Sequence, residues 1–133
     1  MIEDCGQFVT QRQCLVRDSG HHGILFGGIM LQWLDEAGAM YAEEATRANK
    51  LVTRALEAME FIHPVAVGEN VRFYAETERQ GRTSIRIRVR AYVVRPRDAT
   101  FAPRQVTNAC MTFVSVDEQG SPTAIPWSDG SGS

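Results

Sequence analysis

The sequence predicts an α+β domain in which a curved, mostly antiparallel sheet of five strands wraps one long central helix. Three observations predict it. Residues 27–49 carry a helical apolar pattern on nearly every face, so the helix is a buried one and needs a sheet around it. The rest of the chain reads as alternating runs joined by loops of hairpin length, which favours antiparallel pairing. The chain has 133 residues, 44% of them hydrophobic, which suits one domain with an ordinary core.

Each element has its own justification. Residues 8–17 read as the first strand, and Asp18-Ser19-Gly20-His21-His22-Gly23 as a turn cluster. The helix follows from about Gly27, with Met30, Trp33, Leu34, Ala37 and Met40–Tyr41 recurring at steps of three and four, and Asn49 or Lys50 ending it. Residues 52–62 form a strand stopped by His63-Pro64. After a loop that turns at Gly68, residues 71–79 alternate, Val71, Phe73, Ala75 and Thr77 facing one way. Gln80-Gly81 makes the next turn. Residues 83–95 then alternate more cleanly, Ile85, Ile87, Val89, Ala91 and Val93 against Ser84, Arg86, Arg88 and Arg90. The last strand covers about 104–116. Pro122 and Pro126 and a Gly/Ser-rich end predict one domain over 1–120 and a flexible tail over 121–133.

Composition excludes several classes. Net charge is −2, so the chain as a whole is no basic polyanion binder. Thirteen of the fourteen basic residues are arginine, Lys50 being the exception, and six fall between Arg82 and Arg97. Arg86, Arg88 and Arg90 form either a solvated strand face or a surface for anions. Tyr74 and Tyr92 do not make a stacking platform, so nucleic acid is not an expected partner. Three scattered cysteines, Cys5, Cys14 and Cys110, give neither a disulfide framework nor a zinc site, and no other metal site is expected. The start, Met1-Ile2-Glu3-Asp4, lacks an apolar signal segment. The longest apolar stretch, Ile24 to Leu31, is broken by Gly27 and Gly28 and is too short to span a membrane. A cytoplasmic domain without membrane association is expected.

The chemistry concentrates in Gly20 to Ala39. Gly27-Gly28 opens the helix, where backbone N–H groups lack partners and carry partial positive charge; glycine there lets a phosphate or a carbonyl oxygen approach, or lets the helix start pack against a strand. Asp35 lies within the apolar helix, where a carboxylate has a partner, a wet cleft or a chemical role; Glu36 beside it is expected to be the exposed member. Eight residues separate Gly27 from Asp35, roughly 12 Å along the axis, too far for both to serve one carbonyl from a single helix. A second, antiparallel copy of the helix brings one chain's Asp35 to the other's Gly27, so a shared reaction demands a twofold homodimer.

Five segments in register over about residues 8–120 resemble the hotdog-fold acyl-CoA thioesterases, in particular the bacterial acyl-CoA thioester hydrolases. They are His22-Gly23-Ile24-Leu25-Phe26-Gly27-Gly28, Leu34-Asp35-Glu36-Ala37-Gly38, Phe61-Ile62-His63-Pro64-Val65-Ala66-Val67-Gly68-Glu69, Gly81-Arg82-Thr83-Ser84, and Phe113-Val114-Ser115-Val116-Asp117-Glu118-Gln119-Gly120. The resemblance implies a hotdog fold, dimers with joined sheets assembled into tetramers or hexamers, and hydrolysis of acyl-CoA to a free acid and coenzyme A without a cofactor. It implies that Asp35 is the general base or nucleophile and that the Gly27 N–H polarises the thioester carbonyl. Gly28, His22, Phe26, Thr53, Arg82, Thr83 and Ser84 are candidates for binding substrate or its coenzyme A moiety, Arg82 first among the coenzyme contacts.

One position departs from the family. Many relatives carry asparagine where this chain has Gly20, a loss worth on the order of 2–4 kcal/mol of transition-state stabilisation unless His21 or His22 compensates. That departure supports the main alternative, a non-catalytic acyl-CoA binding or regulatory module. A hotdog enoyl-thioester hydratase is the lesser one, since neither Phe26 nor His63 supplies a suitably placed acid–base pair. Acyl chain length is not readable; Met30, Trp33, Met40 and Met59 are candidates to line or close the acyl pocket.

Overall fold

A computed structural model describes residues 6–127. Met1-Ile2-Glu3-Asp4, on which the signal-segment reading rests, Cys5 of the cysteine reading and residues 128–133 of the expected tail lie outside the described residues. The order is β1 (Gln7–Gln13), α1 (Gly27–Thr46), β2 (Leu51–Phe61), β3 (Asn70–Gln80), β4 (Ser84–Val94) and β5 (Arg104–Ser115). The strands form one five-stranded sheet ordered β1-β3-β4-β5-β2, and every neighbouring pair is antiparallel. α1 lies across the concave face, as expected.

The alternation in β4 decides which face is the core. Ile85, Ile87, Val89, Ala91 and Val93 are fully buried, and they meet Val71, Phe73 and Ala75 of β3, Val106, Ala109, Met111 and Phe113 of β5, and Met30, Trp33, Leu34 and Ala37 of α1. Gly38 sets how closely the helix approaches, because a Cβ there would lie 2.8 Å from Met111 Sδ and 3.2 Å from Phe113 Cζ.

Several boundaries and faces differ from expectation for local reasons. β1 stops at Gln13, and Val16–Asp18 forms a 3₁₀ turn instead of continuing the strand to residue 17. The Leu15 N–H donates to the Asp18 carboxylate and the Ser19 hydroxyl to the Val16 carbonyl, so short polar side chains outcompete the ladder. The helix ends at Thr46, not Asn49, with Arg47 left-handed at φ 57° and its N–H on Glu43 O. Nor is α1 buried all round: Leu31, Gln32, Asp35 and Met40 are exposed along one side in the single chain. Met30 and Trp33 belong to the core, while Met40 faces out.

The chain also keeps packing beyond residue 120. The Thr123 N–H donates to Ser115 O, the Ile125 N–H to Arg82 O and Trp127 Nε1 to Gly81 O, and Ile125 and Trp127 are buried. The prolines that suggested an unfolded tail instead hold an extended strap against the end of the sheet, which corrects the tail reading for 121–127.

Candidate active site

The loop that leads into α1 is folded back on itself. His22 and Gly23 are both left-handed, at φ 64° and 67°. That double step returns the chain so that the Leu25 N–H reaches Val65 O at 2.7 Å and the Val67 N–H reaches Gly23 O at 3.0 Å. The Phe26 N–H then donates to Asp18 O at 2.9 Å, which pins the residue preceding the helix. Phe26 O in turn accepts the N–H groups of Ile29 and Met30, the first helical bonds, so those of Gly27 and Gly28 project from an open helix start.

The two glycines differ. A Cβ on Gly28 would come within 3.3 Å of the Phe26 ring, so Gly28 makes room for that ring. A Cβ on Gly27 would meet only Phe61 Cζ, at an ordinary 3.7 Å. Packing within the chain therefore does not require glycine at position 27, and the close-packing reading of that residue fails. Phe26 and Phe61, 60% and 59% exposed, flank the helix start with uncovered apolar surface.

Asp35 is one face along. It is exposed in the single chain, contrary to its expected burial, and Thr53 Oγ1 donates to its Oδ1 at 2.8 Å. A shift in strand register between Thr53 and Ala55 lies immediately after this threonine. Glu36, expected to be the exposed neighbour, instead is half-buried and ion-paired with Arg12, whose guanidinium also lies 5.7 Å from the Trp33 ring centre. The helix thus splits adjacent carboxylates between two tasks, one paired and one presented outward.

Within one chain, Asp35 and Gly27 remain eight residues apart on α1, roughly 12 Å along the axis. Cavities of about 610, 400 and 370 Å³ have neither residue in their linings. Both groups instead occupy an open apolar face beside β2, whose outer edge pairs with no strand among the described residues.

The other sequence candidates fall into two places. His22 is an exposed loop residue whose ring centre lies 6.3 Å from that of His21. Arg82, Thr83 and Ser84 lie at the opposite end of the sheet from the helix start; their turn is fixed by Ser115 N–H on Thr83 O and by the strap. Arg82 is exposed, and Ser84 lines a cavity of about 240 Å³ with Arg79, Gly81, Arg86 and Thr112. Sequence reasoning missed Arg79 and the aromatic partner Phe61; the register shift at Arg79 and the exposure of Phe61 exist only in three dimensions.

The arginine strand does meet anions, but those of its own chain. Arg86 is ion-paired with Glu57 and Glu78, Arg88 with Glu78 and Arg90 with Glu76, so neighbouring strands supply the anions. The Arg88 hydrogen bond holds the Glu78 carboxyl below its ordinary value, and burial pushes the Cys110 thiol up. Tyr74 packs edge-to-face between Phe8 and Tyr92. Among the described residues no three His, Cys, Asp or Glu side chains converge as a metal set, and no helix is long and apolar enough to cross a membrane.

A helix laid in an antiparallel five-stranded sheet, with an open glycine start and an outward carboxylate on one face, is the hotdog arrangement. The family model of the thioesterase superfamily matches residues 22–99. The chain belongs to the thioesterase superfamily. The acyl-CoA thioester hydrolase YciA of Escherichia coli K12 is 33% identical over 122 residues, 91% of this chain and 92% of that protein. HI0827, a hexameric broad specificity acyl-coenzyme A thioesterase solved with an aspartate replaced by alanine, superposes with a TM-score of 0.86 at 31% identity, covering 96% of this chain and 91% of that one. A hexameric hotdog fold thioesterase of Campylobacter jejuni superposes at 0.79 with 30% identity, covering 92% of each.

Proposed function

We propose that the protein is an acyl-CoA thioesterase that works as a homo-oligomer, a tetramer or hexamer built from twofold dimers, without a cofactor and in the cytoplasm. Asp35 of one protomer and the Gly27 N–H of the other flank the thioester. Asp35 accepts a proton from water as the water oxygen attacks the carbonyl carbon; the carbonyl oxygen takes up negative charge against the Gly27 N–H and the positive end of α1. The tetrahedral centre then collapses, the C–S bond breaks, and the departing sulfur takes the proton from Asp35 to leave as coenzyme A, which restores the carboxylate. In the variant path Asp35 itself attacks, and water hydrolyses the resulting anhydride. Thr53 positions the carboxylate. Phe26 and Phe61 flank the thioester with apolar surface, while Arg82, Thr83 and Ser84, with Arg79, are assigned to the coenzyme.

One observation carries this reading. The chain presents an open helix N-terminus and a threonine-held carboxylate on a single uncovered face, at a separation that only a second copy closes. The names of the similar proteins, acyl-CoA thioester hydrolase and hexameric thioesterase, support the same chemistry and assembly.

The test is release of free thiol from a panel of acyl-CoAs by the wild type and by Asp35→Asn. The expected result is turnover that falls by about two orders of magnitude or more in the variant, with fold and assembly unchanged. Tight acyl-CoA binding without turnover by the wild type would establish the non-catalytic module instead.

A further inference from the structure

Gly27, Leu31 and Asp35 recur every four residues along the exposed side of α1. Between Gly27 and Asp35 the neighbours Met30, Trp33 and Leu34 are buried in the core, so Leu31 is the large apolar side chain this stretch presents outward. If each protomer's Gly27 faces its partner's Asp35, the residue midway between them lies on the twofold axis. That residue is Leu31.

The strand beside the helix obeys the same axis. Phe61 adjoins Gly27 and Thr53 holds Asp35, so β2 runs antiparallel to α1 along this face. The rotation that exchanges the helix pairs sets Thr53 opposite the partner's Phe61. It joins the two β2 edges, unpaired among the described strands, antiparallel, with Glu57 at the centre.

We propose that Leu31 meets its twin on the twofold axis, and that the pair forms the wall between the two acyl sites and so limits the acyl chain each accepts. This rests on the thioesterase reading above. The two Gly27 positions are separated by roughly 12 Å along the helices, with the leucine pair about 6 Å from each. An acyl chain directed toward the axis therefore ends against an apolar wall shared with the neighbouring site. A smaller side chain deepens both pockets at once, and a larger one shortens both.

Two measurements test it. The first is kcat/KM over a series of straight-chain acyl-CoAs for wild type, Leu31→Ala and Leu31→Phe. Leu31→Ala is expected to raise the ratio of long- to short-chain activity by about tenfold or more, and Leu31→Phe to lower it, the scale set by one or two methylenes in an apolar pocket. A merely structural role changes all substrates alike. The second is cross-linking of Leu31→Cys in a Cys5→Ser background with copper phenanthroline as oxidant. Helix axes packed about 8–10 Å apart leave roughly 3.5–5.5 Å between facing Cα atoms, which overlaps disulfide geometry. A disulfide-linked dimer is expected for Leu31→Cys and none for Met40→Cys, whose residue is exposed but off the axis. An unshifted chain-length profile, or absence of the Leu31→Cys cross-link, overturns the proposal while wild-type turnover leaves the thioesterase reading standing. Loss of that reading shows separately, as a wild type that releases no thiol although Leu31→Cys cross-links.

Discussion

Replacing Thr53 by valine removes one hydroxyl and keeps the branched shape of the side chain. The hydroxyl makes a 2.8 Å hydrogen bond to Asp35 Oδ1. A hydrogen bond to a charged group contributes about 1.5–3 kcal/mol, and the upper part of that range applies once a partner's helix strips water from the carboxylate. Each 1.36 kcal/mol is a tenfold change in rate, so kcat is expected to fall by about 10- to 100-fold. Thr53 touches the aspartate and not the thioester in this account, so KM is expected to stay within about twofold. Thr53→Ser retains the donor and is expected to recover most of the rate. The assay is initial-rate thiol release with one well-used acyl-CoA, with thermal unfolding run alongside to show an intact fold. A Thr53→Val enzyme with wild-type kcat would refute the claim that this bond aims the carboxylate.

Three further outcomes follow from other contacts. Glu78 has its folded pKa lowered by Arg88, so its contribution to stability is fully present above the ordinary value of 4.5 and is lost as pH falls through the lower, folded value. Glu78→Gln is therefore expected to flatten the loss of stability below about pH 4.5 in urea unfolding series, and an unchanged acid limb would remove Glu78 from that role. Trp127→Ala takes away the indole buried against Gly81 and is expected to destabilise the fold by about 3 kcal/mol, whereas a loose tail would give a shift under about 0.5 kcal/mol. A Cβ at Gly20 would lie 3.4 Å from Phe26 Cδ1, so Gly20→Asn fits with little adjustment and is expected to raise kcat; no increase would mean that the missing amide is already compensated.

The fold was legible where one period dominated. β4 alternated over its full length and all five inward residues are fully buried. The helix start was fixed by Gly27-Gly28, whereas Thr53 was read as a substrate contact and only the fold sets its hydroxyl on Asp35. Legibility failed where local polar contacts or missing neighbours decided the outcome. Asp18 and Ser19 ended β1 early, and the helix ended at the left-handed Arg47, where the Thr46 hydroxyl accepts the Ala48 N–H. The all-round apolar helix was read as buried because sequence does not say which apolar face waits for another copy of the chain. The same blindness hid Phe61. It also reversed the roles of Asp35 and Glu36, since only the fold brings Arg12 to Glu36. The arginine row misled for a related reason: its partners Glu57, Glu76 and Glu78 lie on other strands.

The central claim is that each site takes its acid from one chain and its helix dipole from the other, and complementation between two dead variants tests it most directly. Gly27→Pro suits the purpose, because proline is tolerated at the first helical position, lacks the N–H assigned to the oxyanion, and has room beside Phe61. Asp35→Asn and Gly27→Pro chains, each inactive alone, are to be co-expressed and assayed together. In a mixed dimer one site carries both lesions and the other carries neither, so about a quarter of wild-type activity is expected when chains pair at random. Mixed dimers as inactive as either parent would show that both groups act within one chain, and would contradict the account.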